Sequence, residues 1–157
     1  MSTSIKFKPK QTTKKLLSVL QDRARDVLVN RYGLGKSTEK MTLDAIGKMY
    51  GITRERVRQI ENYALNNIRK SDAYKSEMGA FGEVEEMLHS LGGIVVEDDL
   101  LEHVSKDKST QNNLHFILVV GDTFKKRKED EHFKHRWHVS DDLARKVEES
   151  LHKLYKN

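Results

Sequence analysis

The chain has 157 residues, enough for one ordinary domain or two small ones, and 34% of them are charged. Its formal net charge of +5 and sequence pI near 9.3 favour a polyanionic partner. The absence of cysteine excludes thiol catalysis, disulfides and thiolate zinc sites, and no apolar run approaches the roughly 20 residues of a membrane span.

The first stretch, MSTSIKFKPKQTTKK, has no apolar centre and is not a secretory signal. A soluble, cytoplasmic protein is therefore expected. Charge divides the chain unevenly. Residues 1–75 hold 17 Lys and Arg against 7 Asp and Glu, whereas residues 76–157 hold 12 against 17. That asymmetry predicts two modules, at 16–75 and 76–157, after a disordered basic tail over 1–15.

In chain order, Leu17, Leu20, Ala24, Val27 and Leu28 have helical spacing, with a break near Gln21. The glycines of YGLG, Tyr32 to Gly35, stop that segment. After a polar loop, Thr42 can cap a short helix, LDAIGKMY, with Asp44 in its first turn. Gly51 supplies a turn, and Thr53 caps a helix that runs to about Lys70. Helix, tight turn, longer helix is the helix-turn-helix pattern, whose second helix can enter the DNA major groove.

Beyond a linker or helix extension, Ser71 to Gly82, Phe81, Val84, Met87, Leu88 and Leu91 form a helical stripe ended by Gly92 and Gly93. IVV is a short β-branched run. EDDLLEHV reads as a second helix, and STQNNLHFILVV as a third, capped by Ser109 or Thr110. Phe124 to Lys128 and Phe133 to Val139 read as two strands, and Ser140 caps a last helix with Leu143, Val147, Leu151 and Leu154 on one face. The expected fold class is mainly α: an N-terminal helix-turn-helix bundle followed by a C-terminal winged-helix α+β domain with a β-hairpin.

The second helix of the helix-turn-helix carries the sharpest chemistry. At about 100° per residue, Val57, Ile60, Ala64 and Ile68 form one stripe, and Arg54, Glu55, Arg58, Gln59 and Asn62 lie roughly opposite. A solvated charged face would explain those residues. Against it, arginines in a first turn oppose the helix dipole, and Arg54 and Arg58 repel at i, i+4. The residue types also fit base edges: Arg grips guanine with two bonds, Glu accepts from the cytosine amino group, and Gln pairs with adenine. From the residues alone, DNA reading and the solvated face both stand.

RARDVLVNRYGL followed by MTLDAIGKMYGITRERVRQIENYALNNIRK closely resembles region 4 of sigma-70 family factors, the subunits that direct bacterial RNA polymerase to promoters. The resemblance covers about Leu16 to Lys70. It implies binding of double-stranded promoter DNA at a minus-35-type element, and docking on the flap of RNA polymerase core. By motif position it implies that Arg54, Glu55, Arg58 and Gln59 read bases, that Thr42 and Thr53 hold phosphates, and that Arg56 faces activators. The chain departs from the family pattern at Gln21, where Ser or Thr usually caps a helix, and at Ala24, where an acid is usual. Nothing in it resembles region 2, the promoter-melting part of the family. It is therefore not expected to act as a complete sigma factor, unless it is a fragment of one.

Residues 80–157 resemble, less closely, the winged helix of the RNA polymerase delta subunit and HARE domains, through the LGGIV break, the Asn-rich third helix and the hairpin ending at Trp137. Trp137 reads as core. Lys125, Lys126, Arg127 and Lys128 form either a wing that grips phosphate or a charged strand edge. His132 and His138 share a strand face and His135 takes the other, so the three do not converge on a metal. The acid pairs Asp98–Asp99 and Asp141–Asp142 sit at helix starts, where carboxylates suit the dipole, and Glu129 and Glu131 are turn residues. No catalytic order, phosphate loop or cofactor motif is present, so the expectation is a non-enzyme with no metal, cofactor or small-molecule substrate. The leading expectation is a sequence-specific transcription factor that associates with RNA polymerase. The alternative is a polymerase-docking regulator or decoy that reads no DNA.

Overall fold

The computed structural model of the chain describes residues 5–127 and 136–139. Its first helix, α1 (Pro9–Leu17), takes in residues 9–15 that composition assigned to a disordered tail. Pro9 occupies a first-turn position, where its missing N–H costs nothing. Thr12, Thr13, Leu16 and Leu17 are buried. Two buried threonines give no hydropathy signal, so packing against a distant helix, and not local pattern, makes this segment helical.

The break expected near Gln21 is present: α1 ends and α2 (Asp22–Tyr32) begins after a short turn. Arg25 holds the turn closed, donating to the Leu17 carbonyl at 3.3 Å and the Leu20 carbonyl at 2.7 Å. Gln21 stands at the N-cap of α2 in extended geometry, but its side chain caps nothing. A Gln21→Ser variant is expected to gain about 0.5–1 kcal/mol of stability by supplying that acceptor, measurable by urea denaturation.

Helices α3 (Leu43–Tyr50) and α4 (Arg54–Arg69) form the helix-turn-helix. Both caps are as expected: Thr42 Oγ1 accepts from Ala45 N and Thr53 Oγ1 from Arg56 N, each at 3.1 Å. The turn folds tightly over Gly47, where a Cβ would stand 2.6 Å from the Ile52 carbonyl oxygen. Val27, Ile46 and Val57 fill a small core between α2, α3 and α4, flanked by Met41, Leu43, Tyr50, Ile52 and Ile60.

Helix α5 (Asp72–Ser76), capped by Ser71, connects to α6 (Met78–Ser90). Then follow β1 (Ile94–Val96), α7 (Glu97–Val104), α8 (Lys108–Val120), β2 (Phe124–Arg127) and β3 (Arg136–Val139). The sheet is antiparallel in the order β1-β3-β2, with Trp137 opposite both Val95 and Lys126. Helix, strand, two helices and a hairpin that closes on the first strand make a winged helix, so the expected fold class is found. Two details differ from expectation. Asp107, not Ser109 or Thr110, caps α8, accepting from Thr110 N at 3.1 Å, and a carboxylate there suits the helix dipole. The run IVV joins the hairpin as a third strand, which local pattern could not assign. Lys128, Glu129, Glu131, His132, Phe133, His135 and the helix expected from Ser140 lie outside the described residues, as do Asp141 and Asp142.

A single buried cluster runs from Leu16, Leu28 and Tyr32 through Ala64 and Ile68 to Leu114, Phe116, Trp137 and Val139. Helix α8 is its axis. Every residue from Asn112 to Leu118 is buried, because α8 packs on α7 from one side and on α1, α2 and α4 from the other. In most elements one apolar stripe suffices, but a stretch covered all round must be apolar or, like Asn112, Asn113 and His115, hydrogen-bonded.

The junction is also stapled by polar groups. Asn112 is 1% exposed, and its Nδ2 donates to the Gly33 carbonyl at 3.0 Å and the Thr38 carbonyl at 2.8 Å. Gly33 ends α2 with φ 64°, and a Cβ there would stand 2.6 Å from Thr38 O and 2.7 Å from Asn112 Nδ2. Gly33→Ala is expected to destabilise by at least about 1–2 kcal/mol, since strained backbone and steric conflict add. Thermal denaturation against wild type checks this.

Candidate nucleic-acid interface

Helix α4 separates its two faces as its sequence requires. Val57, Glu61, Ala64, Leu65 and Ile68 are buried, Ile60 is half-buried, and Arg54, Glu55, Arg58, Gln59 and Asn62 are all exposed. The structure thus brings the expected base-reading set onto one open edge at the N-terminal end of the second helix. Thr42 and Thr53 flank it at the two helix starts. Their oxygens serve as cap acceptors, which leaves each hydroxyl hydrogen free to donate outward. Arg56 lies to the side, beside a groove lined by Leu20, Ala24, Ile60 and Tyr63.

The edge residues are paired among themselves. Arg58 Nε donates to Glu55 Oε2 at 3.0 Å, and Arg58 Nη2 lies 2.5 Å from Glu55 Oε1. Arg56 Nη1 donates to Gln59 Oε1 at 3.2 Å, and Arg54 Nη1 stands 3.9 Å from Asp44. The hydrogen bond from Arg58 holds the Glu55 carboxyl below its ordinary range and, reciprocally, Glu55 raises Arg58. Both side chains are exposed, so this pairing is weak and readily exchanged for an outside partner. A solvated edge and a reading edge share this geometry at rest.

Glu61 anchors α4 from beneath. The Tyr32 hydroxyl donates to its Oε1 at 2.6 Å, and Arg31 Nε lies 3.7 Å from Oε2. Burial, and then the adjacent Glu61 charge, push the Tyr32 phenol well up, so it remains a neutral donor. At the other end, Arg69 donates to the Val119 and Val120 carbonyls at 3.0 and 2.9 Å and pairs with Asp122 at 3.3 Å. A cation there satisfies the open C-terminus of α8. None of these ties was foreseen from sequence. The signal that could have shown them is Glu61, a charged residue lying within the arc of the buried stripe.

Residues 16–70 match the sigma-70 region 4 family. Over the region 4 match the chain is 51% identical across 53 residues to RNA polymerase sigma factor RpoS of Coxiella burnetii. It is 47% identical across 60 residues to RNA polymerase sigma factor SigA of a Nostoc species. These alignments cover 34% and 38% of this chain and 15% of each relative. The chain therefore matches under a sixth of the length of those relatives. The region 4 match begins within α1 and ends at the end of α4, so it contains the whole helix-turn-helix and its small core.

The winged-helix part offers a different surface from the one expected. Its third helix, α8, is buried from Asn112 to Leu118, while its first turn, Lys108 to Gln111, stays exposed or half-buried. Lys125 and Lys126 are both exposed on β2, and Lys126 reaches Glu97 at 3.4 Å and lies over the Trp137 ring at 5.7 Å. Arg127 ends β2, and Lys128 is outside the described residues. Trp137 is buried, as expected for core, and its Nε1 donates to Glu97 at 2.9 Å. His138 is buried too, and no group of three metal-binding side chains occurs among the described residues. Among the same residues, no helix is long and apolar enough to cross a membrane.

His115, 8% exposed, links the two halves: Lys40 Nζ lies 2.9 Å from its Nδ1, and Glu97 lies 3.4 Å from its Nε2. Burial lowers the His115 pKa below 6.5, and the charges of Lys40 and Lys126 act in the same direction against Glu97. For Glu97, burial alone would raise the carboxyl, but His115, the Trp137 N–H and Lys126 outweigh it and hold it well below 4.5. Both shifts have the same sign in linkage. The unfolded chain binds the proton more readily, so stability is complete above pH 6.5 and falls as pH drops, first through His115 and then, below 4.5, through Glu97. His115→Gln is expected to remove the upper limb of that fall and leave the lower. Urea midpoints measured from neutral pH down to about pH 4 separate the two limbs.

Proposed function

We propose that this chain is a promoter-reading module of the sigma region 4 kind, which binds double-stranded DNA through the N-terminal edge of α4 and associates with RNA polymerase core. In this reading Arg54, Glu55, Arg58 and Gln59 contact base edges of a minus-35-type element, and Thr42 and Thr53 hold phosphates. Arg56 serves a protein neighbour, and the flap is the docking point on polymerase. The carrying observation is the exposed edge of α4, set opposite its buried stripe within the segment that matches region 4. The two-module division, 16–75 and 76–157, belongs to the same proposal. So does a winged helix of the delta-subunit or HARE kind that serves protein contact, because the body of its third helix, residues 112–118, is taken up in the shared core. Selection of duplexes from a random pool, with and without polymerase core, tests the proposal. Enrichment of one short motif is expected, and an unenriched pool under both conditions overturns it.

One observation favours a second reading. The edge residues already satisfy one another through Glu55–Arg58 and Arg56–Gln59, so the face is stable without DNA. A polymerase-docking decoy would need only that. Retention of polymerase core by a protein that selects no duplex would establish it in place of the first.

A further inference from the structure

Between the two halves lies a cleft of about 470 Å³ that the α4 edge does not use. Its walls come from α2, the loop before α3, α8 and the hairpin. Four cations line it: Arg31, Lys40, Lys125 and Lys126. Among the described residues, two carboxylates are paired with these cations. Glu61 lies 3.7 Å from Arg31, and Glu97 lies 3.4 Å from Lys126. Among the described residues the lining thus sets four cations against two paired carboxylates.

The cations are also held in place. Lys40 is fixed by His115 at 2.9 Å, and Arg31 by its bond to the Met41 carbonyl at 3.2 Å. Lys126 is fixed by Glu97 and the Trp137 ring. An ammonium has three donors, and the bond to His115 uses one of Lys40's. His115 Nε2 is buried in the same wall and makes no well-formed hydrogen bond. Burial lowers the Lys40 pKa, and the charges of Lys108, Lys126 and Arg31 lower it further against Glu97. Like charges crowded in a part-buried cleft are a cost to the fold that an anion would relieve.

We propose that this cleft binds a small phosphorylated anion, with Lys40 and Lys126 as its principal contacts. The cations converge on a concavity and do not form a stripe, which suits one compact dianion. A duplex, by contrast, distributes its phosphates along a strip. Lysine ammoniums take phosphoryl oxygens as point charges without a fixed fork. The bound group would bridge the first half, through Lys40, to the second, through Lys126, and so would stabilise the whole chain by mass action.

Inorganic pyrophosphate is the probe. Calorimetric titration of the full chain at constant ionic strength is expected to show saturable, one-to-one binding, with a rise in melting temperature. Lys40→Met and Lys126→Met should each weaken it at least about tenfold, while Lys14→Met on the exposed face of α1 should not. If Lys40→Met does not fold, Lys126→Met, at the half-exposed strand edge, carries the comparison. Absence of saturable binding, or equal binding by all variants, overturns the proposal. Displacement of pyrophosphate by duplex DNA also overturns it, since the cleft would then be part of a DNA footprint.

Discussion

Phe116→Ala is expected to cost about 3–5 kcal/mol, the range for truncating a fully buried phenylalanine. Phe116 is 0% exposed and meets the Tyr32 ring edge-on, with centroids 5.5 Å apart. A small domain has only about 5–15 kcal/mol in total, so the variant should lie close to its unfolding midpoint. The effect should not stay within the second half. Phe116 belongs to the cluster that includes Leu16, Leu28 and Ile68, so α1, α2 and α4 lose packing along with α8. Denaturation followed by Trp137 fluorescence, and amide exchange in α2 and α4, should move together. If Trp137 is released while α2–α4 stay protected, the halves fold independently. Separately made 1–75 and 76–157 provide the same comparison. Each would expose its half of that cluster to water, and each is expected to be less stable than the whole.

The second large effect follows from the proposed reading role of the α4 edge. Arg58→Ala is expected to weaken binding to the preferred duplex on the order of 10- to 100-fold, the loss of one bidentate base contact. It should weaken binding to a scrambled duplex far less. Glu55→Ala has a different signature. On a bound duplex Glu55 would set an acid beside the phosphate chain, and unbound it occupies Arg58. Its removal should relax discrimination at one base pair, free Arg58, and tighten nonspecific binding. Lys14→Ala is the electrostatic control, because Lys15 already pairs with Glu77 at 3.6 Å. Phosphate contacts carry affinity and salt dependence but little sequence information. The control should therefore weaken both duplexes alike and flatten the salt slope. Equal loss on both duplexes in Glu55→Ala would show that the edge is a solvated face.

The local rules were legible in the sequence. Thr42 and Thr53 announce their caps because a hydroxyl before an apolar period has one good use there. Val57, Ala64 and Ile68 fall on one stripe by helical period alone, and that stripe fixes by subtraction which α4 residues are left outside. Gly33 and the break near Gln21 are likewise local matters, decided within a turn of chain. The reading edge was thus visible as a set of exposed residue types before any coordinates, although whether it reads DNA is a question of partners.

What only tertiary structure decided is everything set by long-range contact. Residues 9–15 are polar and basic, with two threonines where a core helix would carry leucines. They are ordered because α8 offers them a surface, and a surface is not encoded in neighbouring residues. The run STQNNLHFILVV read as a helix, but not as one that other helices cover on several sides. Nothing in the neighbouring sequence names the partners of Glu61, Asn112 and His115. Each is buried against a partner 29 to 79 positions away, where a low local dielectric makes a satisfied hydrogen bond worth its desolvation. Local sequence sets which side chains can lie together on one face. The docking of one half on the other sets which faces meet, and here that docking buried the body of α8 and left a cleft lined by cations beside it.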